Sequence, residues 1–364
     1  MKVLALASYP IEMAATRYRL AQFVGPLAER GITLTIHPFL DSGLAASLYR
    51  RSEWPRTALG LARAALRRAG DVWRASRADV ILVQREAMMF GPPLVEWLAT
   101  RVGRCPMVLD LDDATYVRYL SPTYGRLGST LKWFGKTDDL IRWARVVTCG
   151  NRKIAEYVAG KGARAVLIPT VVDTDLFRPR SLTATPAGKP VLGWIGTHST
   201  FPYLESIFPA LQRLAREHPF RLRIVGAGRD DVRLAGVEVE SCKWRMEREI
   251  EDFQSFDIGL YPIVADEWSA GKSGFKSVQY MAVGIPFVVS PVGECAQIGQ
   301  AGATHFCATS EDEWHDALAR LLSDAALRRR MGEAGREHAL AHYTVPAQAE
   351  KLAQALREAA AASG

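Results

Sequence analysis

Two lysines stand among small residues in "GKSGFKSVQYMAVGIPFVVS", residues 271–290, just ahead of an apolar helix and strand pattern. A lysine ammonium is a compact cation suited to a phosphate, and the flanking glycines let a ligand approach the backbone closely. We therefore predict that Lys272 and Lys276 hold an anion at the start of a helix over Phe275–Val283. The alternative is a pair of solvated lysines at a domain edge.

A second candidate anion site follows the strand pattern "VLGWIG". Gly196 ends that strand, and Thr197, His198 and Ser199 lead into a helix whose first backbone N–H groups have no partner within the helix. Those N–H groups and the hydroxyls would donate hydrogen bonds to a phosphate. The alternative is an ordinary Ser/Thr helix cap.

The glycines of "VGAGRDD" resemble a dinucleotide fingerprint only in part. Asp231 occupies the third glycine position, and no helix pattern begins there. We interpret Gly226 and Gly228 as a turn, so the sequence does not support hydride transfer.

Three carboxylates, Asp110, Asp112 and Asp113, stand in "LDLDDATY", where a buried strand ends. Ligands of α/β proteins bind at such strand ends. Hydrogen bonding to a bound ligand, capping of the strand end and coordination of a divalent metal are three readings of this cluster. Arg17 and Arg19, after the first strand, are candidates for guiding an anionic ligand.

The elements that position these residues alternate between strand and helix patterns, which favours parallel sheets covered on both faces. Six strand patterns precede residue 170 and six follow residue 189. Between them lies "PTVVDTDLFRPRSLTATPAGKP", which is typical of a linker. We predict an N-terminal domain over 1–172 and a C-terminal domain over 173–344. A final helix in 345–364 would pack on either half, and we assign it to the first.

Two helix predictions are specific enough to be tested. A helix over residues 16–30 should be kinked or interrupted at Gly25–Pro26, because proline has no N–H and its ring clashes with the preceding turn. A single helix is expected over residues 201–217.

The positive net charge favours anionic binding partners. The chain of 364 residues has a formal charge of +7, and Arg50–Arg77 holds eight arginines with apolar residues at helical spacing. A second basic and aromatic stretch covers residues 124–145. We expect the apolar face of Arg50–Arg77 to pack on the protein and its arginines to be solvated. Docking on anionic lipid is the main alternative. Binding of nucleic acid is a third reading, and no nucleic-acid-binding motif supports it.

Other sequence features predict a cytoplasmic protein without a disulfide framework or a zinc site, and we assign it no cofactor. No apolar run reaches the roughly 20 residues that cross a membrane, and the first strand is too short for a signal peptide. The five cysteines are scattered without a CxxC pair. Association with the inner face of the membrane is the alternative location.

Taken together, "GKSGFKSVQYMAVGIPFVVSPVG", "GWIGTHST", "IVGAG", "FDIGLYP" and "IPTVVDTDLFRP" resemble the donor domain of family-4 retaining glycosyltransferases of the GT-B fold. The resemblance covers most of residues 165–343. It implies two Rossmann-like domains facing a central cleft, with a nucleotide-sugar on the C-terminal domain and the acceptor on the N-terminal one. It also implies metal-independent transfer from the front face, with no carboxylate pair of the glycosidase kind.

The chain departs from that family's pattern at the donor site. Gly271 and Gln279 stand where many members have two glutamates, and Thr197 stands where an arginine is usual. The resemblance therefore leaves the diphosphate to Lys272 and Lys276. With this resemblance, we assign three roles to a larger set of residues. They are catalytic Lys276, Lys272 and Asp112; donor-binding Gly196, Thr197, His198, Ser199, Gly271, Ser273, Gly274, Phe275 and Gln279; and acceptor-binding Arg17, Arg19, Asp110 and Asp113.

The predicted function is transfer of a sugar from a nucleotide-sugar to a sugar or lipid-linked glycan acceptor, in surface polysaccharide or glycolipid synthesis. Two alternatives stay open. A nucleotide-sugar epimerase of the same fold would need carboxylates and a histidine in the cleft. A catalytically silent sugar-nucleotide-binding partner would explain why both glutamates are absent.

Overall fold

The computed structural model describes residues 1–48, 50–118, 125–180 and 188–361. The chain divides into two compact units: unit 1 comprises Met1–Thr170 and Val345–Gly364, and unit 2 comprises Val171–Thr344. Each unit contains a six-stranded parallel sheet with helices around it. Part of the predicted linker, residues 181–187, lies outside the described residues.

The first strands and helices build unit 1. Its strands β1–β6 are Lys2–Ala7, Thr33–Pro38, Val80–Gln84, Met107–Leu111, Val146–Cys149 and Ala165–Leu167. Its helices α1–α8 are Ala14–Arg19, Val24–Ala28, Ser42–Ser47, Trp54–Ala75, Leu94–Trp97, Gly125–Lys132, Lys136–Trp143 and Arg152–Gly160.

Unit 2 follows the same alternation. Its strands β7–β12 are Val191–Ile195, Arg221–Val225, Glu238–Cys242, Ile258–Tyr261, Phe287–Val289 and His305–Cys307. Its helices α9–α14 are Phe201–Glu205, Phe208–Leu214, Glu249–Gln254, Phe275–Ala282, Glu311–Ser323 and Ala325–His342. The last helix, α15 (Val345–Ala361), packs in unit 1 against α2, β4 and β5.

Strand order differs between the two sheets. Unit 1 has the order β2-β1-β3-β4-β5-β6, and unit 2 has β12-β11-β10-β7-β8-β9. The second order is that of a dinucleotide-binding Rossmann sheet, whereas the first is flavodoxin-like. In each sheet the chain adds strands first toward one edge and then toward the other. This reversal point lies between β1 and β3 in unit 1 and between β7 and β10 in unit 2. Ligands of open α/β sheets bind outside the carboxyl ends of the strands at that reversal.

Both predicted helices are interrupted, but only the second is interrupted next to a proline. The first helix is interrupted at Leu20, not at Gly25–Pro26, and α2 begins at Val24. Pro26 thereby sits in the first turn of α2, where its missing N–H costs no hydrogen bond. The helix predicted over 201–217 is two helices, α9 and α10, each with a proline in its first turn. Pro209 has no N–H to continue α9.

Helix α4 overturns the expectation that the apolar face of Arg50–Arg77 is packed. Leu59, Leu66 and Trp73 are 54%, 75% and 57% exposed. The buried face of α4 instead carries Ala64, Ala75 and three polar residues, Thr57, Arg68 and Asp71. The polar side faces the protein because Arg68 donates hydrogen bonds to the carbonyls of Ala7, His37 and Ala87. Amphipathic spacing identified the helix correctly, but tertiary hydrogen bonding chose the buried face.

Candidate functional site

The reversal point of the unit 2 sheet gathers the predicted donor residues. Strand β7 ends at Ile195 and β10 ends at Tyr261, and the loop after β10 leads to the N-terminus of α12. Tyr203 of α9 bridges to that loop, because its hydroxyl oxygen lies 3.1 Å from that of Ser269. The segment that contains both lysines is therefore fixed beside the ends of β7 and β10.

Both predicted lysines point at aromatic rings at this place. The Lys276 Nζ lies 5.0 Å from the centroid of the Tyr261 ring, and the Lys272 Nζ lies 5.4 Å from that of the Tyr203 ring. A ring face attracts a cation weakly and leaves its N–H donors unused. The rings thus orient two ammonium groups without neutralising them.

In the described part of the chain, no carboxylate balances this pair, since neither ammonium has an Asp or Glu oxygen within 4.0 Å. Burial, together with the smaller effect of the neighbouring Lys272 charge, lowers the pKa of Lys276 to about 8. Lys276 is therefore close to half-protonated near pH 8. Two adjacent cations without a counter-ion make a site that favours an anion carrying more than one negative charge.

Glycines allow this loop to close tightly around the lysines. Gly274, the residue before α12, has φ +65°, and a Cβ there would lie 2.3 Å from Cδ1 of Ile298. Gly293 has φ +56°, and a Cβ there would lie 2.3 Å from the carbonyl oxygen of Ala270. The turn over Ser269–Gly271 and the 3-10 helix Gly293–Ala296 therefore pack backbone against backbone.

The loop after β7 is built from hydroxyls and glycines. The Thr197 N–H donates to Oγ1 of Thr200 at 3.1 Å, and the Thr197 and Ser199 hydroxyls lie 2.8 Å apart. Thr197, His198 and Ser199 are exposed. Helix α9 has five residues, so it offers little helix dipole, and the hydroxyls are the main groups a ligand would meet here.

Close glycine contacts join the ends of β7 and β8. A Cβ on Gly226 would lie 2.4 Å from the Gly196 carbonyl oxygen, and one on Gly228 would lie 3.1 Å from Cβ of His198. No helix begins after "VGAG": in the described chain the next helical turn starts at Met246. The interpretation of Gly226 and Gly228 as a turn is confirmed.

The remaining donor candidates lie on α12 and just before it. Gly271 and Gln279 are buried, with Gln279 4% exposed, whereas Ser273 and Phe275 are half-buried. Gln279 lies one helical turn beyond Phe275 and in the turn after Lys276. Its position fits a neutral hydrogen-bonding group beside the lysines, and its contact with a ribose stays a prediction.

Two predicted acceptor residues in unit 1 are paired with each other. Arg19 is buried and forms a double ion pair with Asp110, with Nη2 and Nε 2.5 and 3.0 Å from its carboxylate oxygens. Arg19 also donates to the carbonyl of Ile168, and Thr148 donates to Asp110. The two charges are satisfied inside the unit and tie α1 to the sheet. Acceptor binding by them stays a prediction that this arrangement does not favour.

Arg85 is a residue that sequence reasoning missed. It stands at the end of β3 with φ +61°, a strained conformation for a residue with a Cβ, and such strain concentrates at functional sites. Its guanidinium forms a double ion pair with Asp112, at 2.6 and 2.7 Å, and lies 3.7 Å from Asp113. Burial would raise the pKa of Asp112, but the charge and hydrogen bonds of Arg85 hold it below its ordinary value.

A second missed cluster lies at the same end of the sheet. Glu86 pairs with Lys132 and with Lys136, the latter at 2.6 Å. Lys136 also donates to the carbonyl of Met88 at 2.8 Å. Only positions far apart in sequence make these pairs, so spacing could not reveal them. Arg17, half-buried, stacks on the ring of Tyr18 at 4.6 Å.

Comparisons with known proteins bear on both units. Residues 189–324 match the family model described as glycosyl transferases group 1, and these residues lie within unit 2. A search of curated proteins gives no match.

Two kinds of feature are absent from the described part of the chain. No group of three His, Cys, Asp or Glu side chains is placed to hold a metal ion, and no helix combines the length and apolar character of a membrane-spanning segment.

Solved structures match over the whole chain at low identity. HepE of Anabaena, crystallised with UDP, is 16% identical with a TM-score of 0.68 over 98% of this chain and 100% of its own. Sucrose-phosphate synthase from Thermosynechococcus elongatus is 15% identical with a TM-score of 0.70 over 100% of both chains. A glycosyltransferase from Rickettsia africae is 14% identical with a TM-score of 0.70 over 98% of both chains.

At these identities the structures show the fold, and the family model adds the match over unit 2. The predicted fold class and the resemblance to glycosyltransferases of the GT-B fold are thereby confirmed, whereas the family-4 subclass and retention stay predictions. This chain has the α/β GT-B fold of glycosyltransferases, and its unit 2 matches their group 1 family.

Proposed function

We propose that the protein is a glycosyltransferase that binds a nucleotide-sugar on unit 2 and transfers the sugar to an acceptor held by unit 1. The observation that carries this proposal is the pair Lys272 and Lys276 at the reversal point of a Rossmann sheet, two cations that have no carboxylate partner among the described residues. A diphosphate is the anion whose charge and size suit two adjacent ammonium groups.

In the proposed reaction the lysines act on the leaving group. The departing nucleoside diphosphate gains negative charge as the sugar becomes cationic, and a preorganised cation stabilises that charge without reorganising. Lys276, partly buried and held over the Tyr261 ring, is the better placed of the two for this role. The hydroxyls of Thr197 and Ser199 supply neutral hydrogen bonds from the loop after β7.

Retention and independence of metal are further parts of the proposal. They rest on the resemblance to retaining family-4 enzymes and on the lysines, which supply positive charge that other transferases take from a metal ion. Asp112 and Asp113, held by Arg85, are the proposed contacts for acceptor hydroxyls, since carboxylates accept such hydrogen bonds well.

A sugar or lipid-linked glycan acceptor in surface polysaccharide or glycolipid synthesis completes the proposed role. UDP is the first nucleotide to try, since HepE was crystallised with UDP, with UDP and glucose, and with UDP-glucose.

A catalytically silent nucleotide-binding partner is the second candidate, favoured by Gly271 and Gln279 at the positions of the two family glutamates. Release of free sugar or transfer by the purified protein excludes it. Ligand binding with no turnover on any donor tested would favour it over the enzyme.

Thermal unfolding with a panel of nucleoside diphosphates and nucleotide-sugars tests the proposal. A ligand at 100 times its dissociation constant should add about 2.7 kcal/mol to the free energy of unfolding. With the donor thus found, Lys276→Ala should lower kcat by roughly 100-fold and change donor affinity less, because the charge matters most as the bond breaks. Melting curves that no nucleotide shifts would overturn the donor site.

A further inference from the structure

Helix α4 (Trp54–Ala75) presents a line of apolar side chains to solvent. Leu59, Leu66 and Trp73 are spaced seven residues apart, so they lie on one face of the helix, opposite the face that buries Ala64 and Ala75. More than half of each of the three side chains is exposed. Helix α5, which packs against α4, has two exposed apolar residues of its own, Leu94 and Trp97. An apolar surface of this length marks an interaction site.

The orientation of α4 is held by a buried polar network and is not a loose attachment. Arg68 pairs with Asp71 at 2.8 Å and donates to three backbone carbonyls, and His37 lies 2.7 Å from the other oxygen of Asp71. Rotating α4 to bury its apolar line would break all of these contacts and expose Arg68 and Asp71 to water. The fold therefore fixes the apolar line outward.

Positive charge flanks that line. Arg56 and Arg63 are exposed, and in the described part of the chain no carboxylate oxygen lies within 4.0 Å of either. Arg77 stacks on Trp73 with its guanidinium carbon 3.6 Å from a ring centroid. The one acidic residue within α4, Asp71, is buried. An apolar line bordered by cations complements a surface that is apolar inside and anionic outside.

We propose that α4 docks unit 1 on an anionic lipid bilayer, lying parallel to the membrane with Leu59, Leu66 and Trp73 inserted among the lipids and Arg56 and Arg63 at the phosphates. Basic amphipathic helices bind bilayers in this way, through buried apolar area together with attraction to anionic lipid. A second copy of the chain is a poorer occupant, because pairing two α4 helices would bring arginines together with no exposed carboxylate on either helix.

Flotation of the purified full-length protein with vesicles tests this proposal. The probes are vesicles of phosphatidylcholine alone and vesicles that also contain phosphatidylglycerol. We expect binding to the anionic vesicles only, weakening as salt is raised, since the arginine contribution is screened. The double variant Arg56→Gln, Arg63→Gln should weaken binding roughly 30-fold, at about 1 kcal/mol for each charge. Leu66→Ser with Trp73→Ser should weaken it by at least about tenfold.

Matched controls come from unit 2. Arg329 and Arg330 are exposed on α14, and Leu340 of the same helix is 46% exposed. The pair Arg329→Gln, Arg330→Gln and the single Leu340→Ser should bind vesicles as the unaltered protein does. Circular dichroism and thermal unfolding confirm that each variant is folded.

Three results would overturn the proposal. One is absence of binding to either kind of vesicle, and another is equal binding to neutral and anionic vesicles. The third is a dimer, detected by sedimentation, that Leu66→Ser abolishes, since α4 would then cover a second copy. Vesicle binding requires no nucleotide, so this test is independent of the proposed transferase activity.

Discussion

At the scale of single residues, Lys276 has an environment unlike that of a surface lysine. Its ammonium is partly buried next to Lys272, and its pKa falls to about 8. Placing a charge in a poorly solvated position without a partner lowers the stability of the folded state. An anion that binds beside Lys276 offsets this loss of stability. The site therefore lowers the stability of the ligand-free protein and strengthens the binding of an anion.

Replacing Lys276 by Met should separate stability from binding. The methionine keeps the length of the side chain and removes the charge, so we expect the free energy of unfolding at pH 7 to rise by about 1 kcal/mol. The same variant should lose part of the stabilisation by nucleotide, because Lys272 still binds the anion. Denaturant unfolding measures both. Lys189→Met is the control, because Lys189 is exposed and pairs with Glu238, and it should show neither effect. A destabilised Lys276→Met would contradict the account.

Nucleotide binding should weaken as the pH rises through the pKa of Lys276. The folded-state pKa of Lys276 is depressed to about 8, so the ammonium that binds the anion is present below that pH and lost above it. Affinity should fall roughly tenfold between about pH 7 and about pH 9. Lys276→Arg keeps its charge throughout this range, and its affinity should stay flat. Calorimetric titration at several pH values checks this, and parallel profiles for the two proteins would refute it.

Residue types and their spacing predicted correctly that the lysines stand at the start of a helix, because a helix start after glycines is a local pattern. The same reasoning did not separate Asp110 from Asp112. Asp110 pairs with Arg19, 91 residues away, whereas Asp112 pairs with Arg85, which spacing never indicated. Each of these pairings depends on how distant strand ends meet. The sequence could therefore predict which groups are charged here but not which of them neutralise each other.

At the scale of elements, the start of α12 depends on two glycines. Gly274 and Gly293 both have positive φ, and side chains on them would overlap Ile298 and the backbone of Ala270. The loop that carries Lys272 is thus shaped by its contact with the 3-10 helix after β11. Alanine at either position should move the lysines.

Gly293→Ala and Gly236→Ala form a matched pair for testing this. Both glycines have positive φ, at +56° and +77°, but a Cβ on Gly236 would meet nothing within 4 Å. Gly236→Ala should cost about 1–2 kcal/mol from backbone strain alone. Gly293→Ala should cost more, because of the overlap with Ala270, and should also weaken nucleotide binding at least about tenfold. Equal stability losses, with binding retained in both, would show that this contact does not position the lysines.

Helix α4 shows where element prediction stops. The arginine and leucine spacing correctly gave a long amphipathic helix, yet the buried face is the one with Arg68 and Asp71. Periodicity finds the faces of a helix and gives the apolar one as the default inside. Only the carbonyls of Ala7, His37 and Ala87, which Arg68 caps, reverse that default, and they belong to other elements.

At the scale of the whole molecule, alternation of strands and helices was sufficient to predict two α/β units. All twelve strand patterns correspond to strands of the structure. The order of the strands could not be read in this way, because both sheets have the same alternation yet different orders. Strand order matters for function, since it puts the reversal point of unit 2 between β7 and β10, beside the lysines.

Catalysis should survive removal of metal ions. If the lysines supply the positive charge that the leaving diphosphate needs, EDTA should leave the rate of sugar transfer within about twofold of its value without chelator. Radiolabelled sugar transfer, or release of the nucleoside diphosphate, measures the rate. Activity lost to EDTA and restored by Mg²⁺ or Mn²⁺ would instead assign the charge to a metal ion and direct attention to Asp112 and Asp113.

The most direct measurement is the dissociation constant of a nucleoside diphosphate, by calorimetry, for the protein with Lys272→Ala and Lys276→Ala combined. Two charge-assisted hydrogen bonds are lost, so affinity should fall at least about 100-fold relative to the unaltered protein. The control Lys189→Ala removes an exposed lysine of the same unit and should bind normally. If the double variant folds and binds the diphosphate as tightly as the control does, the two lysines are not the donor site.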